Sequence, residues 1–248
     1  MKNLCLVFVF IFIAFFSCKV KRIRDFTAVN YSISDTNFVS NDLDSLILPY
    51  KVEMDSKMNK VIGYSSYNLT KYEPESPLGN FVADVVFESG LKYGDQNDLR
   101  LTKTNSLCLI NFGGLRAPIN NGDITIANIY ELMPFDNEIV IVKIMPEQVK
   151  GLLSYLYHKN GQPISNAVAL LKSDKNKLDV GGKTYDFESD LYVVTSDYLA
   201  AGGDKMDFFK SSKIIQTGIL MRDALLDYVK VVKELPIFEV EGRVQFIK

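Results

Sequence analysis

Two short stretches of this chain join paired glycines to polar side chains: Asn111-Phe-Gly-Gly-Leu-Arg116 and Ser196-Asp-Tyr-Leu-Ala-Ala-Gly-Gly-Asp204. Glycine has no Cβ, so it takes positive φ readily and lets a ligand touch the main chain. Gly113 with Gly114, and Gly202 with Gly203, are therefore candidate contact points. Around them Asn111 offers an amide, Arg116 a cation, Tyr198 an aromatic face and Asp204 a carboxylate. That set suits a flat, polar molecule, with or without a phosphate. Arg116 follows Gly114 by two and emerges from a tight turn, where its planar fork suits a phosphate, a carboxylate or a ribose hydroxyl. Its alternative is a surface role, capping a helix or pairing with Asp123. Phe135, in Met133-Pro-Phe-Asp-Asn137, and Tyr198 are each either packing aromatics or faces of a stacking slot. Two rings facing one another would clamp a base with roughly 1–3 kcal/mol per stack.

Groups that break bonds are scarce. The chain has one histidine, His158, near the polar end of a helical pattern, with no second histidine to share a metal. A dinuclear hydrolytic centre needs several His and Asp ligands, so no metal or other cofactor is expected on this chain. Of the cysteines, Cys108 sits in the apolar run Leu107-Cys-Leu-Ile110 and reads as core packing rather than a nucleophile. There is no Gly-x-Ser-x-Gly elbow and no Gly-x-x-x-x-Gly-Lys-Ser/Thr loop, and the glycine pairs do not match a dinucleotide fingerprint. No catalytic residue is assigned: as a free-standing hydrolase the chain is unequipped.

A formal net charge of −2 implies no general field for nucleic acid. The amino terminus carries a different signal. After Met1-Lys2-Asn3, residues Leu4 to Phe16 are all apolar, too few to span a bilayer and suited to the core of a secretory signal. Ser17-Cys18 follows and resembles the lipobox of bacterial lipoproteins, in which the cysteine becomes the acylated first residue. The alternative is an ordinary signal peptide with an incidental Cys18. The lipobox reading makes 1–17 a signal peptide and 18–41 a lipid-anchored linker whose Lys19, Lys21, Arg22 and Arg24 lie beside anionic headgroups. It places the protein in the bacterial cell envelope, on the periplasmic face, held to the membrane by lipid. Residues 42–248 remain for one domain with a sizeable core.

The elements that must position the candidate residues follow from apolar spacing. Leu43, Leu46, Ile47, Tyr50, Val52 and Met58 predict an amphipathic helix to about Asn59, and Val61 to Leu69 a strand. Ser76 as N-cap and Pro77 at the first position open a helix to Gly90. Leu107 to Asn111 reads as a buried strand ending on the first glycine pair, and Ile124 to Leu132 as a short helix closed by Pro134-Phe135. Glu138 to Met145 reads as a strand and Pro146 to Lys159 as a helix. Four short β segments follow, at 168–171, 178–180, 184–187 and 191–195, with Gly181-Gly182 turning the middle pair. A helix over 219–231 and a strand over 238–246 complete the chain. Strands and helices mix without strict alternation, so the class is α+β, or mixed α/β.

In order along the chain, these motifs resemble the C-terminal, substrate-recognition domain of bacterial and animal 5′-nucleotidases. Glu75-Ser-Pro-Leu-Gly-Asn-Phe-Val-Ala-Asp84 is similar to its opening helix motif, and Asn111-Phe-Gly-Gly-Leu-Arg116 to its Asn-x-Gly-Gly-Ile-Arg loop. Ile124 to Phe135, Ser196 to Asp204 and Glu241-Gly-Arg243 resemble its later segments. The resemblance covers about residues 42–248 and implies a four-layer α/β/β/α sandwich-like domain. It implies that rings at Phe135 and Tyr198 sandwich a nucleobase, while Asn111, Arg116 and Asp204 bind the nucleoside and orient the substrate. Divalent metals and the catalytic His–Asp pair belong, in that family, to a separate metallophosphatase domain. The expected function is then the recognition half of a split 5′-nucleotidase, with a nucleoside or nucleotide as ligand and a separate metallophosphatase chain as partner. The alternative is a non-catalytic nucleoside-binding lipoprotein. Two stretches depart from the family: Lys71-Tyr72-Glu73-Pro74 stands where it usually has arginine, and Lys205-Met206 where it continues Gly-Phe.

Overall fold

The computed structural model describes residues 41–173 and 175–247. The expected signal peptide, Cys18 and almost all of the linker lie outside the described residues. The chain divides into two units, 1–48 and 49–248, and everything below from Pro49 onward belongs to the second. Helix α1 (Asn41–Met58) forms where the apolar spacing predicts it. Its predicted stripe is not buried, however: Leu43, Leu46, Ile47, Tyr50 and Val52 are all exposed. Leu48 and Val52 fall on the opposite side at 100° per residue, so the helix has no single apolar face to commit to a core.

The second unit is built around a sheet of five strands: β2 (Ser106–Leu109), β4 (Glu138–Ile144), β5 (Ile164–Ser165), β9 (Leu191–Ser196) and β10 (Lys213–Leu220). They lie in the order β10-β4-β9-β2-β5. Side chains alternate faces along a strand, and here both faces are buried. Cys108, Ile139, Ile141 and Val194 enter one core, shared with helices α2 (Pro77–Gln96) and α6 (Met221–Val232). Leu107, Leu109, Val140, Val142, Ile144 and Val193 enter a second core. There helix α4 (Pro146–His158) contributes Val149, Leu152, Leu153 and Leu156, one face at helical spacing. A second sheet closes that core, made of β6 (Ala167–Leu171), β7 (Lys177–Val180), β8 (Lys183–Thr184) and β11 (Val244–Phe246) in the order β11-β6-β7-β8. The result is the mixed α/β sandwich of helices and two sheets that the resemblance implies.

Several element limits differ from the sequence reading, each for a local reason. The first strand, β1 (Val61–Ser65), stops short of Leu69 because the Ser65 hydroxyl donates to the Tyr67 carbonyl (2.7 Å) and turns the chain. It pairs with β3 (Gly122–Thr125), which takes Ile124 and Thr125 from the expected helix. Helix α3 (Ile126–Leu132) therefore starts at Ile126, with Thr125 as N-cap in a reciprocal pair with Asn128. Helix α2 begins at Ser76 as expected but runs past Gly90, which packs on the sheet: a Cβ there would lie 2.6 Å from a Val194 methyl. Strand β8 ends at Thr184 and not at Phe187, whose φ is +61°. Gly181 and Gly182, at φ +56° and +76°, make the expected turn before it. Strand β10 has no counterpart in the sequence reading, and Leu220, paired with Glu138, moves the last helix start to Met221.

The final strand is confined to β11 because the segment before it is held by a buried carboxylate. Glu75 accepts from the Asn80 amide (2.7 Å) and from the backbone N–H groups of Glu241 (2.8 Å) and Arg243 (2.6 Å). The Arg243 guanidinium then forks onto both oxygens of Asp84 (2.6 and 2.9 Å) and reaches the Ile164 carbonyl (3.0 Å). The opening and closing motifs are thus one hydrogen-bonded cluster, tying the chain's end to α2 and β5.

Candidate substrate-recognition site

Strand direction decides which loops meet. β2 and β9 run parallel, β4 runs antiparallel to β9, and β10 antiparallel to β4. The ends of β2, β9 and β10 and the beginning of β4 therefore share one edge of the sheet. Asn111 follows β2, Phe135 precedes β4, and Tyr198 and Asp204 follow β9.

Behind β2, residues Phe112–Gly114 wind into a 3₁₀ turn. The turn is pinned from outside the site. Lys71 Nζ donates to the carbonyls of Phe112 (3.1 Å) and Leu115 (2.6 Å), and Gln162 Oε1 accepts from the Phe112 N–H (2.9 Å). Lys71, which stands in the stretch where arginine is usual in the family, thus holds the loop's backbone. Arg116 is anchored through its N–H to the Leu132 carbonyl (2.8 Å), and its exposed guanidinium lies 3.4 Å from the Gly113 carbonyl.

After β9 the chain forms a single turn, α5 (Asp197–Ala200), capped by Ser196, whose hydroxyl accepts from the Leu199 N–H. Gly202, at φ +92°, reverses the chain, and Asp204 itself adopts a left-handed conformation at φ +52°. The need at Gly203 is steric: a Cβ would sit 2.5 Å from the Tyr198 carbonyl oxygen and 2.6 Å from its ring. The Asp204 N–H donates to Tyr198 Oη (3.2 Å), and Tyr155 Oη donates to the Asp204 carbonyl (3.2 Å). Burial, with Asp204 and Tyr198 nearby, pushes the Tyr155 hydroxyl up to about 12, so it stays a donor.

The two glycine-paired loops meet where the Asn111 amide donates to the Asp204 carboxylate. Seven predicted residues line one cavity of about 370 Å³: Asn111, Gly113, Gly114, Arg116, Phe135, Tyr198 and Asp204. Phe135 and Tyr198 are 49% and 50% exposed, which rules out core roles for both rings. Gly202 and Gly203 do not line the cavity; they shape the turn that presents Tyr198 and Asp204. Asn137 does line it and was not anticipated, since an asparagine two residues after an aromatic carries no spacing signal.

The arrangement can hold a ligand: two half-exposed rings, amide and carboxylate oxygens as acceptors, and a guanidinium. Among the described residues no group of three or more His, Cys, Asp or Glu is placed to hold a metal. The cavity lining itself offers one carboxylate, Asp204, and no histidine or cysteine. His158 is exposed at the end of α4, and the Cys108 thiol is fully buried and pushed well up by that burial, then by Asp84. Neither is placed for catalysis. The turn makes a direct prediction. Gly203→Ala, whose methyl would meet both the Tyr198 carbonyl oxygen and its ring, lowers stability by about 1–3 kcal/mol, read by urea unfolding, and an unchanged midpoint would contradict the packing described.

Comparisons with known proteins bear on the family and the fold. Residues 59–211 match the model of the family described as 5′-nucleotidase, C-terminal domain. A snake venom 5′-nucleotidase from Macrovipera lebetinus is 28% identical over 200 residues, covering 70% of this chain and 48% of the relative. The trifunctional nucleotide phosphoesterase protein YfkN of Bacillus subtilis (strain 168) is 25% identical over 223 residues, 79% of this chain and 14% of its own length. The chain thus spans half or less of these relatives. In fold it is similar to a 5′-nucleotidase precursor from Thermus thermophilus, with a TM-score of 0.68 at 22% identity, over 83% of this chain and 43% of that one. The Haemophilus influenzae NAD nucleotidase gives 0.60 at 18% identity, over 83% and 41%. Matched by the family model over more than half its length, the chain belongs to the 5′-nucleotidase C-terminal domain family.

Proposed function

We propose that this domain is the recognition half of a split 5′-nucleotidase. It grips a nucleoside monophosphate by its base and presents the phosphate to a metallophosphatase on a separate chain, which supplies the divalent metals and the hydrolytic groups. The observation that carries this reading is the shared cavity, onto which two loops bring Phe135 and Tyr198, half exposed, beside the Asn111–Asp204 pair and Arg116. The rings stack the base, Asn111 and Asp204 take the ribose hydroxyls or ring edges, and Arg116 faces the anionic end. Binding energy from the base, which does not react, then serves to orient the phosphate. Relatives whose names describe nucleotide hydrolysis support the substrate class. The lone exposed histidine supports a separate source of the chemistry. Lipid on Cys18 anchors the chain at the periplasmic face, a reading supported by the apolar run that ends in Ser17-Cys18.

Three measurements test these statements. Adenosine and AMP raise the melting temperature of the purified protein, and Phe135→Ala with Tyr198→Ala weakens binding by at least about 30-fold, since each stack is worth roughly 1–3 kcal/mol. A double variant with intact binding removes the sandwich. The protein alone, with added Mg²⁺, Mn²⁺ or Zn²⁺, releases no phosphate from AMP, and release begins when the phosphatase partner is added. Robust turnover by the lone chain would overturn the split. In cells, labelled palmitate is incorporated by the wild type and not by Cys18→Ser; equal labelling refutes the anchor.

A further inference from the structure

The segment carrying Phe135 is held by a side chain that lies outside the cavity. Arg222, near the start of α6, is 7% exposed. Its Nη1 reaches the carbonyls of Met133 (3.4 Å) and Pro134 (3.3 Å), and its Nη2 pairs with the Asp136 carboxylate. The guanidinium lies over the Tyr130 ring, 4.2 Å from its centroid, and Nε is buried without a partner. Beside it the Met221 N–H donates to the Asn137 carbonyl (2.9 Å), and from the other side the Arg116 N–H takes the Leu132 carbonyl (2.8 Å). The residues on both sides of Phe135 are thus tied down, while its ring stays 49% exposed. A buried guanidinium is costly unless its surroundings pair it, and what pairs this one is the loop. The planar fork is needed, because a lysine could not serve two carbonyls, a carboxylate and a ring face together.

We propose that Arg222 is a positioning residue that presets Phe135 as a stacking face, so that the ligand does not have to order the 133–137 segment on binding. This rests on Phe135 being a stacking face, as proposed above. Arg222 touches no ligand; it acts through the loop.

A double-mutant cycle on the purified full chain tests it, with adenosine affinity read by calorimetry. Arg222→Met weakens adenosine binding about tenfold when Phe135 is present and less than about twofold in the Phe135→Ala background. Arg222→Lys recovers less than half of the loss. Equal losses in both backgrounds mean a general structural role and overturn the proposal. A second readout needs no ligand. The sequence has no tryptophan, so Phe135→Trp supplies a single fluorescent reporter on the loop. Adding Arg222→Met raises its quenching by acrylamide at least about twofold; unchanged quenching overturns the positioning role whether or not a nucleoside binds. If the wild type binds no nucleoside, the stacking reading fails while quenching still judges the loop. Should Arg222→Met not fold, Asp136→Asn removes the exposed ion-pair partner and shifts both readouts in the same directions by about threefold.

Discussion

The direction in which neighbouring strands run is the constraint on which the site depends. With β2 and β9 parallel and β4 antiparallel beside β9, the exits of β2 and β9 and the entry of β4 fall on one edge of the sheet. Strand β10 ends at the same edge, Leu220 opposite Glu138, so α6 starts within reach of the Phe135 segment. Register fixes this arrangement to a single residue. A slip of β4 by one would carry Lys143, now paired with Asp190 at 2.8 Å, toward a position lined by the second core. An unpaired ammonium there costs far more than the small differences among Val and Ile.

Given that edge, the loops are secured mostly through their backbones, which leaves the cavity side chains free for a ligand. The Asp197 carboxylate accepts from the N–H groups of Glu138 (3.2 Å) and Tyr198 (2.7 Å), joining the entry of β4 to the turn that carries the second ring. Lys71 and Gln162 do the same for the first glycine turn, and Arg222 for the Phe135 segment. Asn111 and Asp204 are bonded to one another across the two loops, and the Tyr198 hydroxyl accepts from the Asp204 N–H. A cleft built this way is hydrogen-bonded along its main chain and half exposed in its rings.

Much of this was legible in the residues because the signals are local. The continuous apolar run Ile139-Val-Ile-Val142 marks a strand buried on both faces, and Ser76-Pro77 marks the start of α2. The glycine pairs mark turns, and their polar neighbours mark the cavity. Strand β10 was not legible: at a sheet edge, with Gly218 at φ +71° and a half-exposed face, its apolar residues follow no clean period. Helix α1 misled in the opposite sense: Leu43, Leu46, Ile47 and Tyr50 are spaced for a buried stripe and are exposed. Arg222 and Asn137 carry no spacing signal, since what matters about each is a partner on another element.

The kinds of groups present, the turns that bare them and the single histidine are written in the residues themselves, because residue type and neighbouring glycines act within a few positions. Folding in three dimensions settles that Asn111, Arg116, Phe135, Tyr198 and Asp204 share one cavity and that Gly202 and Gly203 stay behind it. It also makes Lys71, Gln162 and Arg222 the groups that hold the loops. Those outcomes rest on strand pairings between residues as far apart as Cys108 and Val194, and pairing is fixed by the burial of both sheet faces at once.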